Sequence, residues 1–253
     1  MRLAVHRRFY GRKKFGSFKK EQPLRTVPIK RKPDRKMELL KRVWTECNYE
    51  RCKDWDFLGT AEDPLEGLRP FQNKIRSMIG QSRISPKDIG AFSLVMKQYE
   101  NEQHFPEKAG HFLTFLINHS RSKTFVVHTM HLDRLIDCFG IQNRKHITVK
   151  GSLGDDAGMW MEGGTIVVEG DVGDSAGRSS EGRLVIKGNA GENLGECLLP
   201  EGIIEIEGEF KSLGDVVGAS IYHKGKALSD SDDWEGATMY GDVHFVYVEE
   251  DDE

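Results

Sequence analysis

A glycine-spaced repeat in the second half of the chain constrains the fold more than any other feature of the sequence. Four short apolar runs each close on a glycine: ITVKG at 147–151, IVVEG at 166–170, LVIKG at 184–188 and IEIEG at 204–208. The closing glycines lie 19, 18 and 20 residues apart. One strand per repeat of this length indicates units that stack along an axis, as in a solenoid.

The alternation within each run predicts how the units stack. Ile147 and Val149 point to one face of their strand, and the other runs repeat this pattern, so parallel stacking makes inward apolar columns about 4.8 Å apart along the axis. The residues that precede the closing glycines are Lys150, Glu169, Lys187 and Glu207. Opposite charges therefore meet at every step, which favours in-register parallel pairing.

Further glycines recur at fixed offsets after the first three closing glycines. Because glycine adopts positive φ at corners where a Cβ would clash, we predict a structural role for these positions. The structural glycines predicted in this way are Gly151, Gly154, Gly158, Gly170, Gly173, Gly177, Gly188, Gly191, Gly195 and Gly208.

Three segments carry a family resemblance: 151–158 (GSLGDDAG), 170–177 (GDVGDSAG) and 188–195 (GNAGENLG). Their G-x-x-G-x-x-x-G pattern resembles the GXGXG domain, a right-handed parallel β-helix module. It is similar to the C-terminal domain of the large glutamate synthase subunit and to the formylmethanofuran dehydrogenase subunit that carries this module. The resemblance implies a structural module that packs between catalytic domains or subunits, and it transfers no catalytic residue.

The whole chain is predicted to be α+β, with an N-terminal helical region followed by a short right-handed β-helix of about four coils. We expect a disordered basic arm at 1–36, helices within 37–123, a β-helix with a lead-in strand and helix at 124–248, and an acidic tail at 249–253. The lead-in helix is predicted over 130–139. Ser85, Pro86 and Asp88 predict the start of another helix.

An acidic column, Asp155, Asp174 and Glu192, follows the closing glycines at a constant offset. Carboxylates in this pattern could hold Ca²⁺ through oxygen ligands. The alternative is that they suit turn corners and bond to local backbone amides, and the sequence favours this second interpretation. We therefore expect no metal and no cofactor.

The basic arm is the strongest functional signal. Residues 1–36 contain 14 Lys and Arg against two acidic residues, while the whole chain has a formal charge of −3. Such a segment can neutralise phosphates and release counterions. The predicted contact residues are Arg7, Arg8, Arg12, Lys13, Lys14, Lys19, Lys20, Lys30, Arg31 and Lys32. An acidic protein partner, a solvated tail and an organelle transit peptide stay open as alternatives.

No spacing in the chain indicates a nucleophile with its base, a phosphate loop or a zinc cluster. The sequence therefore favours a cytoplasmic, non-enzymatic interaction protein whose β-helix platform and arm join a larger, RNA-containing assembly of the ribosomal kind. The alternative is a non-catalytic subunit of a multi-subunit redox or amide-transfer enzyme. Either function requires a protein or RNA partner, and no membrane contact is expected.

Overall fold

The computed structural model describes residues 34–49, 66–214, 216 and 219–228. The predicted contact residues of the basic arm, the segment 50–65 and the acidic tail lie outside these ranges. Within them the chain forms helices followed by a parallel β-solenoid, which confirms the α+β prediction. No helix in the described ranges has the length and apolar character needed to cross a bilayer.

Among the described residues four α-helices come first: α1 (Arg35–Glu46), α2 (Arg69–Ile79), α3 (Pro86–Val95) and α4 (Phe105–His119). Short 3₁₀ turns precede α2 at Glu66–Leu68 and follow α3 at Met96–Tyr99. The predicted capping box of α3 is present, since the Ser85 and Asp88 side chains each bond to the other's backbone N–H. Asp34 caps α1, so Arg35 and Lys36 belong to this helix and not to the arm.

The helices pack around Trp44, which is fully buried. Its ring lies 5.1 Å from that of Tyr99 and 5.3 Å from that of Phe112, measured between centroids. The indole N–H donates to Glu102 Oε1 at 2.8 Å, and the Lys108 ammonium lies 4.4 Å from the ring centroid. Glu102 and Lys108 also pair with each other at 2.8 Å. A satisfied polar pair thus closes one side of an aromatic core.

Within the part of the chain that the structure describes, the solenoid has six parallel strands: β1 (Thr124–His128), β2 (His146–Lys150), β3 (Thr165–Val168), β4 (Arg183–Ile186), β5 (Ile203–Ile206) and β6 (Ser220–His223). Each strand pairs with the next in chain order, which makes about five turns and not four. The register matches Ile147 with Ile166, Leu184 and Ile204, as the repeat predicts. A short antiparallel strand, β7 (Lys226–Ala227), pairs with β6.

The predicted helix over 130–139 is wrong, because this segment is the arc of the first coil. Its backbone bonds to the second coil: Cys138 N donates to Asp155 O at 2.8 Å, and Gly154 N donates to Ile136 O at 2.9 Å. Groups used between coils are not free for helical bonds. Left-handed backbone at Cys138 and Gly140 recurs in the following coils, for example at Asp156 and Gly158.

The first coil also anchors the helices. Gly110 of α4 lies so close to it that an added Cβ would be 1.9 Å from Asp137 O. On α3, Ser93 Oγ accepts a bond from His128 N at 3.0 Å, so this helix covers the outer edge of β1. A strand edge that is covered in this way is protected from pairing with other chains.

The predicted glycines have two different physical roles. Gly151, Gly158, Gly177 and Gly195 have positive φ, as expected. The other six are required by the close approach of adjacent coils. At Gly173, an added Cβ would lie 2.1 Å from Asp155 Oδ1 and 2.6 Å from Gly154 C.

We expect Gly173→Ala to lower the free energy of unfolding by about 2 kcal/mol or more, because the backbone of the preceding coil cannot move away. Gly225→Ala is the matched control: its Cβ would meet nothing within 4 Å, and only the positive φ of +79° is unfavourable. That strain costs about 1 kcal/mol. Urea unfolding of both variants measures the difference, and an equal or larger loss at Gly225 would contradict the close-approach role.

Candidate anion-binding groove

The predicted acidic column forms a ladder of hydrogen bonds between coils. Asp155 N donates to Asp137 Oδ1 at 3.1 Å, Asp174 N to Asp155 Oδ1 at 2.9 Å, and Glu192 N to Asp174 Oδ1 at 2.7 Å. The Glu192 carboxylate itself lies 3.7 Å from the Lys211 ammonium. Asp155 and Asp174 therefore accept bonds from backbone amides of the next coil, 19 and 18 residues away, whereas the turn interpretation expected local amides.

A second ladder runs beside the first. Asp171 N donates to Ser152 Oγ at 3.0 Å, Asn189 N to Asp171 Oδ1 at 2.7 Å, and Glu209 N to Asn189 Oδ1 at 2.9 Å. In the described part of the chain, no group of three or more His, Cys, Asp or Glu residues is arranged to hold a metal ion. Both ladders join successive coils through side-chain oxygens that accept bonds from backbone N–H groups.

Asp137 begins the first ladder in an unusual electrostatic setting. Burial raises its pKa to about 6, and the nearby carboxylates of Asp155, Glu107 and Asp156 shift it in the same direction, against the N–H of Asp155. Its pKa is therefore higher in the folded chain than the ordinary value of 3.8. Ionisation of this carboxyl opposes folding increasingly as the pH rises from about 4 to about 6, and fully above that range.

We expect Asp137→Asn to increase the free energy of unfolding at pH 7.5 by about 1–3 kcal/mol, because asparagine keeps the acceptor oxygen but cannot ionise. The gain should disappear near pH 3.5, where the carboxyl is neutral in both states. Asp171→Asn, at an exposed ladder carboxylate, is the matched control and should show little gain. Urea unfolding at the two pH values tests this, and a gain that does not depend on pH would refute it.

The described structure also contains a basic groove that the sequence alone did not indicate. Two cavities, of about 370 and 810 Å³, share the residues Arg76, Phe115 and His119. We call these two cavities together the basic groove. It lies where α2 and α4 end and where the loops 80–85 and 120–122 meet. The larger cavity is lined by Lys36, Arg76, Arg83 and Arg121, together with four serines and no carboxylate among the described residues.

His119 and Arg76 form a fixed pair in the floor of the groove. The His119 ring stacks on Phe115 with 3.9 Å between centroids, and its Nδ1 lies 2.9 Å from Phe115 O. Its Nε2 lies 2.8 Å from Arg76 Nη2. Burial and the Arg76 charge lower the pKa of His119, against the Phe115 carbonyl. A neutral ring that donates through Nδ1 therefore accepts from Arg76 through Nε2 and holds the guanidinium over Phe115.

The other cations of the groove differ in how they are compensated. Lys36 pairs with Asp88 at 2.9 Å, and Arg144, at the smaller cavity, pairs with Glu162 at 2.6 Å. Arg83 and Arg121 are exposed and form no ion pair with any residue that the structure describes. Two uncompensated guanidinium groups beside an open cavity favour anionic ligands, since arginine recognises phosphate through its planar donor fork.

The loops that carry these arginines are short Ser-Arg segments, QSRIS at 81–85 and SRS at 120–122. Their composition is typical of surface loops, and nothing in the sequence shows that they lie side by side. The packing of α2 against α4 brings them together.

Comparisons with known proteins give no further assignment: a scan of protein-family models found no match, and searches of curated proteins and of solved structures found none either.

Proposed function

We propose that this protein is a non-enzymatic interaction protein that joins an RNA-containing assembly. The observation that carries the proposal is the basic groove, with Arg83 and Arg121 exposed and without carboxylate partners among the described residues, beside a cavity of about 810 Å³. Phosphate contacts from such cations supply most of the affinity in non-specific nucleic-acid binding. The part of the basic arm that precedes the N-cap of α1, residues 1–33, adds a net charge of +11 in the same chain.

The solenoid serves in this proposal as a rigid platform of the GXGXG type. Two observations support the module assignment: the in-register parallel coils, and the glycine columns that their close approach requires. The helical region is joined to the first coil at Gly110 and at Ser93, so the groove is held by the same body as the platform. A rigid support holds the two loops that carry Arg83 and Arg121 next to each other, with a bond from Ser120 Oγ to Ile84 O at 3.3 Å, which reduces the entropy lost on binding.

We expect Arg83→Glu/Arg121→Glu to weaken binding of the full-length protein to a single-stranded RNA oligonucleotide by at least about 10-fold, because two phosphate contacts become repulsive. Lys211→Glu/Lys226→Glu, on the solenoid and β7, changes the net charge equally and should weaken binding by less than about 3-fold. Fluorescence anisotropy at several salt concentrations measures both. The dependence of log K on log salt should become shallower only for the groove variant.

Equal losses in the two variants would show that net charge alone governs binding and would remove the groove from the proposal. Deletion of residues 1–33 measures the contribution of the arm separately. In cells, sedimentation of the tagged protein should be lost after RNase treatment. Nuclease-resistant co-purification with redox or amidotransferase chains would overturn the RNA proposal in favour of the enzyme-subunit alternative.

A further inference from the structure

On the outward face of the solenoid sheet, lysine and glutamate alternate from one coil to the next. The column Lys150, Glu169, Lys187 and Glu207 runs along the ends of β2 to β5. Within the chain, Lys150 pairs with Glu169 and Lys187 pairs with Glu207. All four side chains keep 40 to 58% of their surface exposed. They can therefore still meet charges on another molecule.

The centre of the same face is uncharged over four strands. In-register pairing aligns Val126, Thr148, Val167 and Val185, and β5 follows with Glu205. Val126 is 38% exposed and Val185 only 7%. A β-branched strip flanked by a charged column is a surface that another flat sheet can cover, with about 10 Å between the two sheets.

A two-fold axis can relate this face to the same face of a second copy so that opposite charges lie opposite each other. The axis runs parallel to the strands and passes between β3 and β4. Rotation about this axis leaves the position of each residue along the strand direction unchanged and reverses the order of the coils. Lys150 then lies opposite Glu207 of the second copy, and Glu169 lies opposite Lys187 of the second copy. Val167 then faces the position of Val185 of the second copy, beside the Arg183–Glu205 ion pair of that copy.

We propose that this face binds a second copy of the chain, with the two solenoids antiparallel and related by this two-fold axis. The interface is isologous, because each contact occurs twice. The charge order is self-complementary only when the coils are reversed, which selects the antiparallel arrangement over a parallel one. The basic groove has no part in this contact, so dimerisation and RNA binding are separate properties.

The size of the face predicts a weak dimer. Five inter-strand spacings give a length of about 24 Å, and strands of up to five residues give a width of about 17 Å. The area per copy is then about 400 Å², below that of standard stable interfaces. We expect a dissociation constant in the micromolar range. Added salt should raise it, since the flanking ion pairs are exposed.

Charge-swap variants of the full-length chain separate contacts within a copy from contacts between copies. Lys150→Glu/Glu169→Lys keeps that intramolecular pair but places like charges opposite each other across the two-fold axis. Lys187→Glu/Glu207→Lys does the same for the other pair. Each variant alone should have a dissociation constant at least about 10-fold higher than the wild type. An equimolar mixture should form a heterodimer, because every contact across the axis is then between opposite charges.

The matched control is Glu169→Lys/Lys187→Glu, which breaks both intramolecular pairs and keeps opposite charges across the axis. It should still dimerise, even with a lower melting temperature. Sedimentation velocity over about 1–200 µM protein measures all of these, and thermal unfolding confirms that each variant is folded. The proposal is overturned if the wild type stays monomeric over this range, if the mixture does not associate, or if the control loses the dimer while it remains folded.

Discussion

Hydrogen bonding between successive coils is the constraint on which the rest of this structure depends. Parallel pairing holds neighbouring coils at strand spacing over about five turns. At that distance a Cβ at positions such as Gly154 or Gly191 would overlap the carboxylate of the preceding coil. The same carboxylates accept bonds from backbone amides of the next coil. Glycine columns and acidic ladders are therefore two results of one geometric requirement.

The helical region depends on the same stack through the first coil. Gly140 N donates to Thr114 Oγ1 at 2.8 Å, and Asp137 N donates to Pro106 O at 3.2 Å, so α4 is bonded directly to the first coil. With α3 covering the edge of β1, the solenoid begins against a packed helical layer. α2 packs on α4, and residues of the coils such as Arg144 and Lys145 line the smaller cavity of the basic groove. The basic groove is therefore a consequence of how the solenoid is capped.

The charged residues of the basic groove and those of the sheet face differ in how they are compensated. Arg76 lies in the last turn of α2, where its positive charge complements the negative end of that helix dipole. The neutral His119 ring, in the last turn of α4, accepts a bond from Arg76. Arg83 and Arg121 lie beyond those ends and have no such compensation from described residues. On the sheet face, by contrast, lysine and glutamate alternate and neutralise each other. The basic groove thus favours an anionic ligand. The sheet face favours a second sheet whose charges run in the reversed order.

The amino-acid sequence by itself determined the repeat, the register of Ile147 on Ile166, the outward charge order and the cap at Ser85, because each depends on spacing within a short segment. It did not identify the arc 130–139, where contacts with α4 replace the glycine signature of later coils. It also could not distinguish glycines needed for positive φ from those needed for close approach, since that depends on what the preceding coil places nearby. Arg83 and Arg121 line one cavity only because α2 packs against α4. Tertiary structure alone decided the groove, because contacts between distant segments have no local pattern.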